Sequence, residues 1–256
     1  MRIKQTTPMK LAGASALALG LMVGAGQQAN AATVSFQEGV SPTGGYAMDA
    51  TYIRSGAPDD NQNADPDVEL IVGTTAPTSN DALRGLFEFD VSAIPVGDQI
   101  DSASLVLTTH ATSKGIGGSQ TFNLHAYGFD IDEATATWNA PGAGDATPGG
   151  TLGALLSSAT FDVTQNSLTV TFSDSAAFQT AVSDALAGDG MLRLILVNSD
   201  ESITGSHKFA RLQPDNSATA GARPELIVTH SVPEPGSLAL MGLGGLCLLK
   251  RRRRDA

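Results

Sequence analysis

The chain has 256 residues, with 15 Lys and Arg against 26 Asp and Glu, a formal net charge of −11. Between Ala32 and Ser231 only seven cations face 24 carboxylates, a net of −17, which excludes binding to a phosphate backbone that needs Lys and Arg to displace its counterions. The single cysteine, Cys247, lies outside that stretch, which excludes disulfides, thiol catalysis and Cys-type zinc sites within it.

The N-terminal residues read as an export signal. Arg2, Lys4 and Lys10 form a basic start, Leu11 to Gly26 is an apolar run, and Ala29-Asn30-Ala31 is a small-x-small cleavage site. Residues 1–31 are therefore expected to be a signal peptide that a signal peptidase removes. The mature chain then begins near Ala32.

Strand signals follow in order. They fall at Thr33–Gln37, Thr51–Arg54, Glu69–Val72, Leu83–Phe89, Ser102–Thr109, Thr121–Tyr127, Thr160–Val163, Leu168–Phe172, Leu192–Val197, His207–Arg211 and Glu225–Thr229. In Leu168-Thr169-Val170-Thr171-Phe172 the apolar residues share one face and the threonines the other, as in a half-buried strand. Phe87 and Phe89 likewise point one way, with Glu88 opposite. One segment has a different period. Phe178, Val182 and Leu186 are four residues apart, which predicts a helix over Ser173 to Ala187, capped by Ser173 or Asp174 and ended by Gly188. Long loops are expected at Ala57–Asp67 and Asn139–Gly150. Many short strands, one helix and no βαβ alternation predict an all-β chain: an antiparallel β-sandwich of jelly-roll type spanning residues 32–231 as one domain.

Candidate sites lie in the loops and among the scarce cations. Asp59, Asn61, Asn63, Asp65 and Asp67 offer oxygen ligands at alternate positions, a pattern suited to Ca²⁺. The spacing resembles an EF-hand loop, but Ala64 stands where the turn glycine belongs and Leu70 where the bidentate Glu belongs. The other reading is a solvated turn-rich loop. Asp130, Asp132 and Glu133 form a second acidic cluster. Arg54, Arg84, Lys208 and Arg211 can hold uronate or sulfate if they meet on one face, since Arg binds such groups bidentately. Otherwise each pairs with a neighbouring carboxylate. Trp138, the single tryptophan, can stack on a sugar ring or cover one end of the sandwich. No H-E-x-x-H or G-x-S-x-G pattern occurs, and a non-catalytic protein is expected.

The last segment, residues 232–256, has three ordered parts. Pro233-Glu234-Pro235 cannot join regular helix or sheet pairing. Ser237 to Leu249 is 13 residues without charge, shorter than the roughly 20 that span a bilayer. Lys250 to Arg254 is a run of five cations, which the positive-inside rule keeps in the cytoplasm. Together these resemble the PEP-CTERM sorting signal of Gram-negative bacteria. The resemblance implies export, transient anchoring in the inner membrane through a hydrophobic tail helix, and processing by an exosortase.

The stretches Ala50-Thr51-Tyr52-Ile53-Arg54, Leu70-Ile71-Val72-Gly73, Leu83 to Asp90, Ile100 to Leu107, Ala136-Thr137-Trp138-Asn139 and Arg223 to Thr229 together resemble the DNRLRE-type domain, a carbohydrate-binding-module-like β-sandwich. That resemblance implies non-catalytic binding of an extracellular polysaccharide at the cell surface or in a biofilm matrix. A structural or adhesive matrix protein without glycan binding, and a polysaccharide-active enzyme such as a lyase, remain as alternatives.

Overall fold

The computed structural model describes residues 31–64, 69–75, 81–201 and 206–232. Residues 30–233 form one compact unit. Among the described residues eleven strands run β1 (Ala31–Gln37), β2 (Met48–Arg54), β3 (Leu70–Thr75), β4 (Asp81–Asp90), β5 (Gln99–Thr108), β6 (Ser119–Ala126), β7 (Leu155–Asp162), β8 (Thr169–Phe172), β9 (Met191–Asn198), β10 (Lys208–Leu212) and β11 (Glu225–Ser231). One helix, α1 (Ala176–Ala187), lies between β8 and β9.

The strands build two antiparallel sheets. The smaller has the order β1-β11-β5-β8. The larger has the order β10-β3-β4-β9-β6-β7, with β2 added on β4. Within it β4 is the hub. Leu83 pairs with both Arg54 and Gly73, whereas Gly85 to Phe89 pair with both β2 and β9. Hence β2 flanks β4 on one side, and β3 and β9 share the other side end to end. The ends of the sheets curl together where Thr109 bridges to Leu212 and Ile116 to Phe209.

Alternation places Phe36, Phe87, Phe89, Phe122, Leu105 and Phe172 between the sheets, all fully buried. Helix α1 closes this core with Phe178, Val182 and Leu186. Its cap is Ser175, one or two residues later than the sequence suggested. The Ser175 hydroxyl accepts from the Phe178 N–H at 3.0 Å and donates to the Leu156 carbonyl at 2.5 Å. Asp174 is instead drawn to the neighbouring strand, accepting from the Ala103 N–H at 2.8 Å. Gly188 ends the helix, as expected.

A second correction concerns the connection between β6 and β7. Strand β7 starts at Leu155, so the loop before it runs over residues 127–154 and is far longer than Asn139–Gly150. This cover loop lies on the outer face of the large sheet. There Ile53, Leu86, Ile195 and Val197 meet Tyr127, Ile131 and Ala136 in a second apolar core, with Phe129 and Trp138 at its margin. Residues Leu86, Ile195 and Ile53 occupy registers that alternation turns away from the inter-sheet core. Burying them needs a lid, and the cover loop supplies it.

Candidate functional site

The cover loop is stitched to the sheet by side chains, because a loop without a ladder must find other partners for its backbone groups. Glu88, on the outer face of β4, accepts from the Ile131 N–H at 2.9 Å and from Arg193 Nε at 2.7 Å. Asp145 sits under the loop at 5% exposure. It accepts from the Thr147 N–H (2.9 Å), the Thr151 N–H (2.8 Å), the Thr151 hydroxyl (3.1 Å) and the Tyr127 hydroxyl (3.0 Å). Burial alone would raise the Asp145 pKa, but these donors outweigh it and hold the carboxyl below its ordinary value. Burial, together with Asp145, pushes the Tyr127 phenol up.

The proposed metal loop is tied to this layer. Asp59 accepts from the Asn139 amide at 2.8 Å. Asn61 donates its amide to the carbonyls of Glu133 (2.8 Å) and Ala136 (2.9 Å), while its Oδ1 accepts from the Asn63 N–H at 3.0 Å. These groups staple the short 3-10 turn Gln62–Ala64 to the cover loop. Asp65 and Asp67 lie outside the described residues. Asp130 pairs with Arg193 at 2.5 Å, and Asp132 caps the next turn through the Ala134 N–H and the Thr135 hydroxyl. Among the described residues no group of three or more His, Cys, Asp or Glu side chains is arranged to hold a metal ion.

The four cations do not gather on one face. Ile53 pairs with Arg84 and Arg54 with Leu83, so alternation turns Arg54 and Arg84 to opposite sides of the sheet. Lys208 and Arg211 are three residues apart on β10, which separates them in the same way. The arginines are engaged with carboxylates. Arg54 meets Asp81 at 2.7 Å, Arg84 forms a two-pronged pair with Glu201 at 2.9 and 2.6 Å, and Arg211 pairs with Glu69 and lies over the Phe209 ring. Lys208 sits opposite Thr74, its stem against Gly117.

Two of the expected sugar contacts do come together. The Arg84 guanidinium lies 5.1 Å from the centre of the Trp138 ring. It also donates to the Gly149 carbonyl at 2.8 Å. Gly149 has φ +82°, and a Cβ there would stand 2.6 Å from the indole, so the ring can pack flat only over glycine. Trp138 is half-buried, at the edge of the second core. Beside it, Asn139 and Asp59 complete a polar rim.

Sequence reasoning missed another acidic centre, which draws on distant segments. Asp215, from the loop after β10, is 6% exposed. Its carboxyl hydrogen-bonds Glu133 of the cover loop. Burial first, then the Glu133 charge, raises Asp215 to about 7. Asp49, on the outer face of β2, is raised to about 6 by burial and then by Glu133, Glu88, Asp132 and Glu38. Glu133 Oε2 is sealed from solvent and has no hydrogen-bond partner. Glu133 belongs to the Asp130, Asp132 and Glu133 cluster legible in the sequence, whereas no pattern there ties Asp215 or Asp49 to it.

Residues 231–254 match the PEP-CTERM protein-sorting motif. The chain is thus an exported surface protein, sorted by an exosortase and anchored transiently in the membrane. The motif residues Pro233, Glu234 and Pro235 lie outside the described residues, as does the apolar run from Ser237 to Leu249. Among the described residues no helix is long and apolar enough to cross a membrane. No curated protein matches the chain.

Proposed function

We propose that the body of this exported protein is a non-catalytic module that holds an extracellular polysaccharide at the cell envelope or in the surrounding matrix of a Gram-negative bacterium. The observation that carries this reading is the rim formed by Trp138, Arg84 and Asn139. A half-buried indole packed against a guanidinium and a glycine is held rigidly, and the part it leaves exposed can meet the C–H face of a sugar ring. The neighbouring amide and carboxylate of Asn139 and Asp59 offer hydrogen bonds to hydroxyls. Resemblance of the body to the DNRLRE-type domain supports the same role.

The charge arrangement favours a neutral glycan over a uronate or sulfate. Arg54, Arg84 and Arg211 are each matched by a carboxylate, and a second anion would have to displace it. A non-catalytic role is supported by the placement of Asp215, the carboxyl whose affinity for protons burial raises. Asp215 is buried and touches Glu133 directly, whereas glycosidase carboxylates stand about 5 Å or more apart across an open cleft.

The test is a screen of residues 32–231 against neutral and acidic polysaccharides. Saturable binding to a neutral glycan that Trp138→Ala weakens at least tenfold is expected. Binding only to acidic glycans, or none from folded protein, would overturn the reading. A second reading, a structural or adhesive matrix protein, is favoured by an apolar groove of about 230 Å³ between α1 and the large sheet. Ala177, Ala181, Ala185, Leu156 and Leu192 line it, and Leu155 next to it is 50% exposed.

A further inference from the structure

Both ends of the compact unit leave it at one place. Ala31, at the expected signal-peptide cut, pairs with Ser231 of β11, and Ser231 pairs with Gln99 at the start of β5. The turn over residues 91–98 joins the end of β4 to that start. It is fastened there. Asp98 meets His230 at 2.8 Å with both side chains buried, and Asp90 accepts from the Ser92 N–H at 2.9 Å. Between these two carboxylates the segment Val91 to Gly97 carries no charge, in a body whose seven cations face 24 carboxylates. Its tip is apolar and open to solvent. Val96 is 79% exposed, Ala93 and Pro95 are exposed as well, and Val232, just past β11, is 58% exposed.

We propose that this end of the sandwich is a membrane-facing surface, which rests on the lipid headgroups while the sorting tail is anchored. The length of the tail's first segment carries the argument. Only residues 233–236 separate Val232 from the uncharged run Ser237 to Leu249. Fully extended, that connection reaches at most about 18 Å. Strand β4, with ten residues, is about 33 Å long, so the exit end is held closer to the lipid than the body is long. Within that reach charge sets the orientation. Carboxylate-rich surfaces are repelled by anionic headgroups, whereas exposed valines gain by leaving water. Arg84, on which Trp138 stacks, lies six residues before Asp90 on β4, about 20 Å from this end. The docked body thus holds its Trp138 rim off the lipid. The surface rests on the tail's anchoring and stands whether or not that rim binds a glycan.

The experiment uses residues 32–256, with Cys247→Ala removing the single native thiol, in vesicles of phosphatidylethanolamine and phosphatidylglycerol. Val96→Cys at the tip, or Ala146→Cys on the exposed part of the cover loop, carries a polarity-sensitive fluorophore. The chain should float with the vesicles. The label at position 96 should shift to the blue and lose about half of its emission to nitroxide on the lipid headgroups, the depth at which interfacial apolar residues sit. The label at position 146 should do neither. A label at Ala93→Cys should respond as the one at position 96 does, and adding Val96→Asp should cancel that response, which separates contact from tethering alone. Equal quenching at positions 96 and 146, quenching at position 93 that Val96→Asp leaves unchanged, or a chain that does not float overturns the proposal. A label at position 96 that responds only when the vesicles carry an exosortase also overturns it, because the surface would then dock on the enzyme.

Discussion

Two buried carboxylates serve the same cover loop in opposite ways. Asp145 collects two backbone N–H groups and two hydroxyls, and its proton affinity falls. Asp215 meets another carboxylate, and its proton affinity rises to about 7. Both expose little surface, and burial pushes both carboxyls up. At Asp145 four donors outweigh that cost, whereas at Asp215 a second carboxylate adds to it.

Removing the Asp145 carboxylate should give the largest effect. Asp145→Ala orphans the Thr147 and Thr151 N–H groups and the Tyr127 hydroxyl beneath the loop, at a cost of about 3 kcal/mol. Urea unfolding would show a lower midpoint with unchanged slope. If Asp145→Ala proved neutral, the claim that the cover loop is held by this centre would fail.

Asp215→Asn should do the reverse. Replacing one of two facing carboxylates removes their repulsion and allows an amide donor to reach Glu133. A gain of about 1–2 kcal/mol at pH 8 is expected by linkage from the raised proton affinity. The opposite signs of Asp145→Ala and Asp215→Asn separate the two acidic centres more sharply than either variant alone.

The pH profile follows from the same contrast. Asp145 has a depressed pKa when folded, so its stabilisation is present above the ordinary carboxylate pKa near 4 and is lost as pH falls through the lower folded value. Asp215 has a raised pKa when folded. Its favourable contribution is full below about 4 and is lost as pH rises through about 7. The urea midpoint should therefore fall on both sides of a maximum near pH 4. Asp145→Asn should flatten the acid limb, and Asp215→Asn the neutral limb. A profile that either variant leaves unchanged would show that its carboxylate is not the titrating group.

The legibility of these features in the sequence follows their range. Strand β8 was visible because Val170 and Phe172 alternate with threonines, and α1 because Phe178, Val182 and Leu186 repeat every fourth residue. Such patterns are local. The second core was partly visible: Leu86 beside Phe87, and Ile195 between Leu194 and Leu196, make β4 and β9 apolar on both faces, which requires cover on both. Tyr127, Phe129 and Ile131 alternate beyond the end of β6, out of phase with its buried Phe122 and Leu124, a trace of the segment that supplies that cover. The Glu133–Asp215 contact left no trace of this kind. It joins positions 82 residues apart in two loops without period, and no spacing rule reaches that far. The same reason hid the pairing of Arg84 with Glu201, which turned an expected anion receptor into a neutralised brace.

The smallest expected effect lies at that brace. Arg84 holds Trp138 by stacking and by its bond to the Gly149 carbonyl, while Glu201 fixes the guanidinium plane. Arg84→Lys keeps the charge but gives up the planar fork, and a compact ammonium cannot serve Glu201 with two parallel bonds and lie flat on the indole at once. A stability loss of about 1 kcal/mol is expected, the size of a partly exposed cation–π contact with its hydrogen bonds. Because both acidic centres are untouched, the loss should not vary with pH between 5 and 8. Tryptophan fluorescence reports it directly, since Trp138 is the single tryptophan. A red shift without global unfolding would mean that the indole has loosened from its glycine seat while the sheet beneath stays folded. An unshifted spectrum would mean that Gly149 and the second core position the ring by themselves, and that Arg84 serves Glu201 alone.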